Sequence, residues 1–487
     1  MADFSGRRVL VMGLGLHGGG LETARYLARH GAELTITDLR DEKALAPSIE
    51  KLEAALGEGG KRGLRYVLGR HETADFASAD MVIKNPGVRP DSPYLKAARR
   101  IETDISLFLA ASPARLCAVT GSKGKSGAAS ALHWVLSRAR EAGVLAGRAW
   151  LGGNITVSPL SFLDQLGRED DVVLELSSWQ LGDLRSRLGE DGRPLLKPRC
   201  AVFTPIMPDH LDRYGDMESY VADKRVIYQG QDGEDAVIAL DDDWGRSFLA
   251  EGRGRPLSYG ETEPAPGTSG GWIAGEQGPG LARIYGGPGG LAGQTLEVVP
   301  AELLVPGRHQ KMNLLAAALA LLDLGLEAAL VRESLGAFPG IEHRLEFFHQ
   351  AGGIFFYNDS AATIPEAAAA AAAAFEGRGR LLLAAGGSDK GLDLGPLAEA
   401  AGKAAELVLL AGAGSERLKI LLRDRGIPFR GPFDTVDAAV RALLERARPG
   451  DLVLLSPGCA SFGMFLNEFD RGTRWKEAVR RLAPSSG

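Results

Sequence analysis

Residues 115–130, RLCAVTGSKGKSGAAS, combine residue types that could bind a phosphate chain. An apolar run leads into a turn rich in glycine and hydroxyl groups, and small helix-forming residues follow. The backbone N–H groups of such a turn can converge on phosphate oxygens at a helix N-terminus, where the helix dipole also favours negative charge. In this arrangement Lys125 would reach the outer phosphates, and the Ser126 hydroxyl would face Mg²⁺. The predicted phosphate ligands are Gly121, Ser122, Lys123, Gly124, Lys125 and Ser126.

This turn is a shorter variant of the usual phosphate loop, because Val119 stands where that loop has its first glycine. The alternative is a glycine-rich connection between a strand and a helix that happens to carry a surface lysine. A Gly-Lys-Ser sequence directly after an apolar strand favours the phosphate site.

Side chains suited to a metal ion follow in two later segments. Glu175 ends the apolar run of VVLELSSWQL, and a carboxylate in such a run is costly to bury unless it pairs with a cation or a metal. Asp209, His210 and Asp212 crowd a predicted loop and form a set suited to Mg²⁺ and to orienting a substrate. A chance ion pair and a structural histidine are the alternatives. Lys224 lies in a helical segment and, by itself, is typical of a solvated surface lysine.

A second glycine-rich turn lies near the N-terminus, in VLVMGLGLHGGG. Gly13, Gly15 and Gly18 follow an apolar strand, and Asp38 comes 23 residues after Gly15. This spacing is typical of a dinucleotide-binding fold, so nicotinamide binding is a fair hypothesis from the turn alone. Such a fold does not by itself fix a function.

The elements that must position these residues alternate as apolar strands and helical segments along nearly the whole chain. This alternation predicts parallel sheets covered by helices, and we predict three α/β domains at residues 1–110, 111–337 and 338–487. The first and third should be Rossmann-like, and the second should be a phosphate-loop ATPase-like sheet with a small β subregion. Glycine and proline in residues 259–293 favour short strands or a flap. The alanine run at residues 366–375, after Pro365, predicts a helix.

Composition excludes several classes of protein. The 487 residues carry a net charge of −6, which argues against broad binding to nucleic acid or anionic membranes. Three widely spaced cysteines suggest neither a disulfide framework nor a zinc site. The N-terminus lacks a signal-peptide pattern, and no apolar run reaches the roughly 18 residues of a membrane span. We therefore expect a cytoplasmic protein, and a monomer because nothing marks an assembly surface.

A series of motifs then gives the chain a resemblance to the Mur ligases, above all to the members that add glutamate. The resemblance runs from residue 8 to about residue 480, and the motifs occur in the family's order: TGSKGKS, GGN, ELSSWQL, DHLDRY, GRHQKMN, EHRLE, NDSAAT, GGSDKG and SPGCASFGMF. It implies a ligase that phosphorylates the carboxylate of UDP-N-acetylmuramoyl-L-alanine with ATP. The amino group of glutamate, D-glutamate by preference, then attacks the acyl phosphate.

The resemblance also implies roles for individual residues. Lys125 and two Mg²⁺ ions would neutralise the transferring phosphoryl group, with Ser126 and Glu175 at the first ion and His210 and Lys224 at the second. Lys224 would be carbamylated by CO₂, as in the family. The UDP of the sugar-nucleotide would occupy the N-terminal turn, which makes the nicotinamide interpretation an alternative.

Further residues are implied at each substrate. For the UDP substrate they are Gly13, Gly15, Leu16, His17, Gly18, Asp38, Arg40, Gly87 and Asn154. For ATP they are the phosphate loop with Asn313, Arg344 and Asp359, and Arg344 would lie toward the γ-phosphate as a catalytic residue. For the amino acid they are Lys390, toward the α-carboxylate, with Thr363 and Ser461.

Two departures from the family pattern affect the amino-acid end. Ala361 replaces a lysine that is common in the glutamate ligases, and Glu468 replaces a phenylalanine that commonly lines the amino-acid pocket. L-glutamate or another amino acid is therefore an alternative to D-glutamate. More distant alternatives are a ligase that extends a folate chain, a nicotinamide oxidoreductase, and a non-catalytic nucleotide-binding regulator.

Overall fold

The structure is a computed structural model, and it describes residues 3–16, 18–60, 63–155, 157–275, 277–286 and 291–484. The chain divides into two compact units. Unit 1 comprises Met1–Ala301 and Met312–Leu335, and unit 2 comprises Glu302–Lys311 and Gly336–Gly487.

The first sheet of unit 1 is parallel, and its strands lie in the order β3-β2-β1-β4-β5. Its strands are β1 Arg8–Met12, β2 Glu33–Asp38, β3 Leu64–Leu68, β4 Met81–Lys84 and β5 Ile101–Glu102. Its helices are α1 Gly19–Arg29, α2 Glu42–Gly60, α3 Thr73–Ser78 and α4 Asp104–Ala111. The strand order reverses between β1 and β4, and ligands of such sheets bind at the carboxyl ends of the strands beside that point.

The second sheet of unit 1 has the order β14-β13-β12-β11-β10-β9-β6-β8-β7, and it is parallel from β12 to β7. Its strands are β6 Arg115–Thr120, β7 Ala149–Gly153, β8 Asp171–Glu175, β9 Cys200–Phe203, β10 Ala236–Leu240, β11 Arg255–Gly260, β12 Gly270–Ile273, β13 Gly280–Gly286 and β14 Leu291–Val299. The helices that follow these strands are α5 Lys125–Glu141, α6 Ser178–Leu184, α7 Leu211–Tyr214, α8 Met217–Lys224, α9 Asp243–Glu251, α10 Arg308–Asp323 and α11 Ala328–Gly336.

The glycine- and proline-rich segment forms the antiparallel edge of this second sheet. Within its described residues, β12 pairs antiparallel with β13, and β13 pairs antiparallel with β14. The prediction of short strands is therefore confirmed for that part, while residues 276 and 287–290 lie outside the described residues.

The sheet of unit 2 has the order β15-β16-β20-β17-β18-β19, with β15 antiparallel to β16 and the other strands parallel. Its strands are β15 Glu346–Ala351, β16 Ile354–Asn358, β17 Leu381–Ala385, β18 Glu406–Leu410, β19 Arg430–Phe433 and β20 Leu452–Leu455. Its helices are α12 Pro365–Ala373, α13 Gly395–Lys403, α14 Ala413–Asp424, α15 Val436–Leu444 and α16 Glu468–Leu482. The predicted alanine helix is α12, with Pro365 in its first turn.

The central strands of each sheet are buried on both faces, as parallel sheets covered by helices require. Every residue of β8 and of β17 is buried. The structure contains three sheets made mainly of parallel strands and covered by helices, two of them in unit 1. This arrangement confirms the predicted α/β fold class. Across the described residues, no helix has both the length and the apolar character that crossing a membrane would require.

Candidate active site

The phosphate-loop candidate lies between β6 and α5 and is tightly packed from two sides. Gly121 has φ 144°, and a Cβ atom there would lie 2.0 Å from the Thr204 Oγ1. Gly124 has φ 91°, and a Cβ atom there would lie 2.3 Å from the Asn313 Oδ1. Positive φ and the lack of space both require glycine at these positions. The path of the loop is therefore restricted by its neighbours Thr204 and Asn313 as well as by its own backbone.

Two side chains of the loop already contact the loop or its surroundings. The Lys125 Nζ donates to the carbonyl oxygens of Gly121 and Ser122, both at 3.1 Å. The Ser122 hydroxyl donates to the Met207 carbonyl oxygen at 2.8 Å and lies 3.0 Å from the Tyr220 hydroxyl. The Ser122 N–H also donates to the Pro205 carbonyl oxygen at 2.9 Å. Both the side chain and the backbone N–H of Ser122 thus tie the loop to the segment after β9.

Glu175 is the last residue of β8 and is 2% exposed. Its Oε1 accepts a hydrogen bond from the Asn154 Nδ2 at 2.8 Å. Its Oε2 is buried and has no hydrogen-bond partner among the described residues. An unpartnered carboxylate oxygen in a buried position is unfavourable unless a cation meets it. The surroundings of Glu175 therefore fit the metal-ligand role predicted for it.

Lys224, at the end of α8, is 1% exposed, so the view of it as a solvated surface lysine is wrong. Its Nζ donates to the Gly121 carbonyl oxygen at 2.8 Å and lies 4.5 Å from the centroid of the Tyr220 ring. Burial, together with the nearby charge of Lys125, lowers the pKa of Lys224 to about 7. A substantial share of this amine is therefore neutral at physiological pH.

His210 lies at the N-terminus of the short helix α7, with φ 53° and a side chain that is 46% exposed. Its ring centroid is 5.0 Å from that of Trp179, and the Arg213 guanidinium lies 4.2 Å from the Trp179 centroid. Asp209 lies near His210, with 3.9 Å between Oδ1 and Nε2. The sequence analysis missed Trp179, for which only its place in ELSSWQL was a signal.

No group of three or more histidine, cysteine or acidic side chains that could hold a metal ion occurs in the described part of the chain. The predicted ligands instead contribute one carboxylate, one hydroxyl, one imidazole and one lysine. A Mg²⁺ ion bound to phosphates needs only one or two protein carboxylates, so this sparse set suits a nucleotide-bound ion.

A cavity of about 350 Å³ lies in unit 1, beside the carboxyl ends of β1 and β4. Residues 11–16 and 83–87 line it on one side, and Asn154, Ser177 and Trp179 line it on the other. Of the residues predicted for the UDP substrate, Gly13, Gly15, Leu16, Arg40, Gly87 and Asn154 line the cavity, whereas Gly18 precedes α1 and His17 lies outside the described residues. The structure thus brings most of the predicted set together.

Asp38 does not line this cavity. Its Oδ2 accepts a hydrogen bond from the Gly15 N–H at 3.2 Å, and its Oδ1 accepts one from the Arg40 N–H at 2.9 Å. The carboxylate is 8% exposed. In this structure Asp38 therefore shapes the glycine turn, and a contact with uracil or ribose stays a prediction.

Lys84 and Asp183 form a buried ion pair at this cavity, and the sequence analysis did not single out either residue. The Lys84 Nζ lies 2.7 Å from the Asp183 Oδ2, and the two side chains are 4% and 7% exposed. Lys84 also donates to the Val88 carbonyl oxygen at 3.0 Å. Burial raises the pKa of the nearby Asp104 to about 6. A lysine at the end of the apolar run DMVIKN was the only signal for this pair.

The predicted amino-acid residues of unit 2 follow parallel strands. The Lys390 Nζ donates to the Thr363 Oγ1 at 3.0 Å, so the structure brings this predicted pair together. Ser461, which follows β20, is 4% exposed. Ser388 and Ala460 exchange backbone hydrogen bonds of 2.9 and 3.1 Å, which join the loop of Lys390 to the loop of Ser461.

Asp359 follows β16 in unit 2 and is 4% exposed. Its Oδ1 accepts from the Leu345 N–H at 3.1 Å, and its Oδ2 accepts from the Ser456 hydroxyl at 2.7 Å. Burial raises the pKa of Asp359 to about 6. Arg344 is exposed, next to Leu345. Asp359 therefore fixes the loop of Arg344, while the contacts of both residues with a nucleotide stay predictions.

The two departures from the family pattern also lie in unit 2. The Ala361 N–H donates to the His343 carbonyl oxygen, and Glu468 opens α16. The Phe469 side chain is 51% exposed, and its ring centroid lies 5.5 Å from that of His343.

Comparison with known proteins gives matches over most of the chain. Three family models match it: "Mur ligase MurD-like, N-terminal domain" at residues 7–106, "Mur ligase middle domain" at residues 119–321, and "Mur ligase, glutamate ligase domain" at residues 343–459. The UDP-N-acetylmuramoylalanine--D-glutamate ligase of Treponema pallidum (strain Nichols) is 40% identical over 98% of each chain.

Solved structures agree at the level of the fold. The UDP-N-acetylmuramate-alanine ligase MurC of Thermotoga maritima is 19% identical, covers 98% of this chain and 100% of its own, and has a TM-score of 0.53. The MurF ligase of the same organism, solved in complex with ADP, is 17% identical, with coverage of 99% and 100% and a TM-score of 0.50. From the match at 40% identity over nearly the full length of both proteins, we conclude that this chain belongs to the Mur ligase family.

Proposed function

We propose that this protein is an ATP-dependent ligase that joins D-glutamate to UDP-N-acetylmuramoyl-L-alanine in peptidoglycan precursor synthesis. The observation that carries the proposal is the buried Oε2 of Glu175, which has no partner among the described residues and lies at the end of β8, beside the strand β6 that leads into the glycine loop. The full-length similarity to ligases named for this reaction supports the choice of substrates.

The reaction would proceed in two steps. In the first, an oxygen of the substrate carboxylate attacks the γ-phosphorus of ATP, and the bond to ADP breaks. In the second, the amino group of D-glutamate attacks the acyl carbon, phosphate leaves with the former carboxylate oxygen, and the amine loses a proton. Transfer between two anions depends chiefly on alignment and on neutralising charge.

The residues of the phosphate loop supply part of that neutralisation. Lys125, which now donates to two carbonyl oxygens of the loop, would turn its ammonium toward the outer phosphates when nucleotide binds. The backbone N–H groups of the loop, apart from that of Ser122, which donates to the Pro205 carbonyl oxygen, would hold the phosphate chain at the N-terminus of α5. Together, the Lys125 ammonium and the N–H groups would stabilise the phosphate charge without a covalent bond between the protein and the phosphate.

The donor set also fits two Mg²⁺ ions, with Ser126 and Glu175 holding one and His210 and Lys224 the other. When bound, Mg²⁺ withdraws charge from the phosphoryl oxygens. A lysine ammonium would repel such an ion, but a neutral amine can attack CO₂ to give a carbamate with loss of one proton. The burial of Lys224, with its pKa lowered to about 7, supports this modification.

The substrates would be held at two further places. The cavity between the glycine turn and Asn154 has a suitable volume and backbone lining for the diphosphate of the UDP substrate. Lys390 and Thr363 would receive the α-carboxylate of the glutamate, and Ser461 its distal carboxylate. Arg344 and Asp359 would contact the nucleotide.

The proposal also includes a cytoplasmic location and a monomeric state, both of which are expectations from the amino-acid sequence. Sedimentation velocity at increasing protein concentration tests the oligomeric state. A stable dimer would contradict that part.

Isotope transfer tests the acyl-phosphate route directly. The substrate carboxylate is labelled with heavy oxygen and incubated with ATP, Mg²⁺ and D-glutamate. One labelled oxygen should appear in the released phosphate, and the amide product should keep the other. Phosphate without label would rule out the acyl phosphate.

A further inference from the structure

The residues predicted to bind the amino acid lie on three separate loops of unit 2. Thr363 follows β16, Lys390 follows β17 and Ser461 follows β20. Three loops with separate strands need a common support if their side chains are to keep one geometry around a small ligand.

Arg471, on α16, makes that common contact. Its Nε donates to the Ser360 Oγ at 2.9 Å, and its Nη2 donates to the Ser360 carbonyl oxygen at 2.8 Å. Its Nη1 donates to the Cys459 carbonyl oxygen at 3.1 Å. A Cβ atom on Gly387 would lie 3.5 Å from the same Nη1. The guanidinium therefore donates hydrogen bonds to the loops of Thr363 and Ser461. The loop of Lys390 lies next to it at Gly387.

The same network continues into the helix that carries Arg471. The Ser360 hydroxyl, while accepting from the guanidinium, donates to the Glu468 carbonyl oxygen at 2.7 Å. The first turn of α16 is thereby fixed to the loop of Thr363. The Lys390–Thr363 hydrogen bond and the Ser388–Ala460 backbone pair close the connections among the loops.

Arg471 also lacks a directly paired carboxylate among the described residues, although the charges of Glu468 and Asp359 act on it from farther away. The residue is 1% exposed, and its side chain forms no ion pair with a carboxylate of the described chain. Burial lowers the pKa of Arg471 to about 10, so it is still protonated at neutral pH. A buried cation whose acceptors are all neutral oxygens is unfavourable for stability alone. Its positive potential favours an anionic ligand bound near it.

We propose that Arg471 is the positioning residue of the amino-acid site: it holds the loops of Thr363, Lys390 and Ser461 in one arrangement and supplies positive potential where Ala361 replaces a lysine. The inference rests on the proposed function, because it assigns a role within the glutamate-binding site. Arg471 would act through the loops and not by touching the glutamate, since it is buried and three of its five N–H donors are used by Ser360 and Cys459.

The test compares R471K and R471M with the wild type in full-length protein. R471K keeps the charge but loses the planar fork, whereas R471M keeps much of the length and loses both. R474M is the matched control, because Arg474 lies on the same helix and pairs with Asp470 at its exposed side. The measurements are kcat and the KM values for D-glutamate, ATP and the UDP substrate, together with the thermal unfolding of each variant.

We expect R471K to raise the KM for D-glutamate by about tenfold, the value of a hydrogen bond to a charged group, and R471M to raise it further. The KM values for ATP and for the UDP substrate should stay at the wild-type values, as should all values for R474M. An unchanged KM for D-glutamate in folded R471K, or equal rises for all three substrates, would overturn the inference. If R471M does not fold, R471K alone decides. If D-glutamate does not stimulate the activity of the wild-type protein, the result would instead refute the proposed function.

Discussion

The surroundings of Glu175 favour a bound cation. One of its oxygens accepts from Asn154, and the other is buried without a partner among the described residues. E175Q keeps the shape and the acceptor for Asn154 but removes the negative charge. The magnesium concentration needed for half-maximal activity should therefore rise by at least about tenfold.

The matched control for this prediction is E102Q. Glu102 is also buried, but its Oε1 accepts from the Arg100 Nε at 2.9 Å and its Oε2 accepts from the Ser106 Oγ at 2.6 Å. E102Q should leave the magnesium dependence unchanged. Phosphate release measured against Mg²⁺ concentration gives both values, and a wild-type curve for E175Q would exclude Glu175 as a ligand.

Lys224 offers a second test at the scale of one residue. K224A should lower kcat by about a hundredfold or more, as loss of a charge-stabilising group at a transferring centre does. A short-chain carboxylate added to K224A should restore part of the activity, because it supplies the anionic oxygens of the carbamate. K224R, which keeps a cation and cannot form a carbamate, should stay inactive. Full activity of K224A would exclude the carbamate.

Asp359 gives unit 2 a characteristic dependence on pH. Burial raises its pKa from 3.8 to about 6, so between these values the folded state holds a proton that the unfolded state has released. The contribution of Asp359 to stability is therefore present below the lower value and is lost as pH rises through the higher one. The free energy of unfolding should fall by up to about 3 kcal/mol on this account.

D359N isolates this contribution, because the amide keeps one acceptor oxygen and does not titrate. Denaturant unfolding of wild type and D359N at about pH 4 and about pH 7 should show a smaller loss of stability with rising pH in the variant. Equal slopes for the two proteins would show that Asp359 does not titrate in this range.

At the scale of elements, the proposed binding of ATP depends most on the geometry of the phosphate loop. In G124A the new methyl group would meet the Asn313 side chain at 2.3 Å, in addition to the cost of φ 91° for alanine. G143A is the matched control: Gly143 has φ 73°, lies after the same helix α5, and has nothing within 4 Å of its Cβ position. Both variants bear about 1 to 2 kcal/mol of backbone strain.

The difference between these two variants measures the collision with Asn313. We expect the KM for ATP to rise by at least about tenfold in G124A and to stay near the wild-type value in G143A. Steady-state kinetics at saturating UDP substrate gives both constants. If G124A binds ATP as the wild type does, the loop is not the nucleotide site.

The elements themselves were predictable from local sequence. Parallel strands buried on both faces are continuous apolar runs, so β8, β17 and β20 could be identified without tertiary information. The alanine run after Pro365 could be identified as a helix because alanine has the highest helix propensity. The pairing of Lys390 with Thr363 followed from the resemblance.

Contacts between distant parts of the chain could not be predicted in this way. The buried Lys224 Nζ donates to the Gly121 carbonyl oxygen, 103 residues away in sequence. The guanidinium of Arg471 meets Ser360 across 111 residues. Local composition cannot reveal such partners. For this reason Lys224 by itself looked like a surface lysine, and Arg471 was not noticed. The buried pair of Lys84 and Asp183 was missed for the same reason.

At the scale of the whole molecule, the similarity to a Mur ligase extends over nearly the full length of the chain. The Treponema relative covers 98% of both chains, and the matched family models include the cavity of unit 1, the phosphate loop and the loops of Thr363 and Lys390. Ala361 lies in the loop of Thr363, and the Glu468 carbonyl oxygen accepts from Ser360 of that loop, so we expect the effect of both replacements at the amino-acid site. The relatives named for D-glutamate favour that stereoisomer over L-glutamate.

The measurement that tests the central claim most directly is phosphate release by the purified protein with UDP-N-acetylmuramoyl-L-alanine, ATP and Mg²⁺. D-glutamate, L-glutamate and no amino acid are compared in parallel. We predict release that depends on D-glutamate and on the UDP substrate together, with L-glutamate giving no more than the background. Release that neither stereoisomer stimulates would contradict the account, and release stimulated by L-glutamate alone would contradict the assigned substrate.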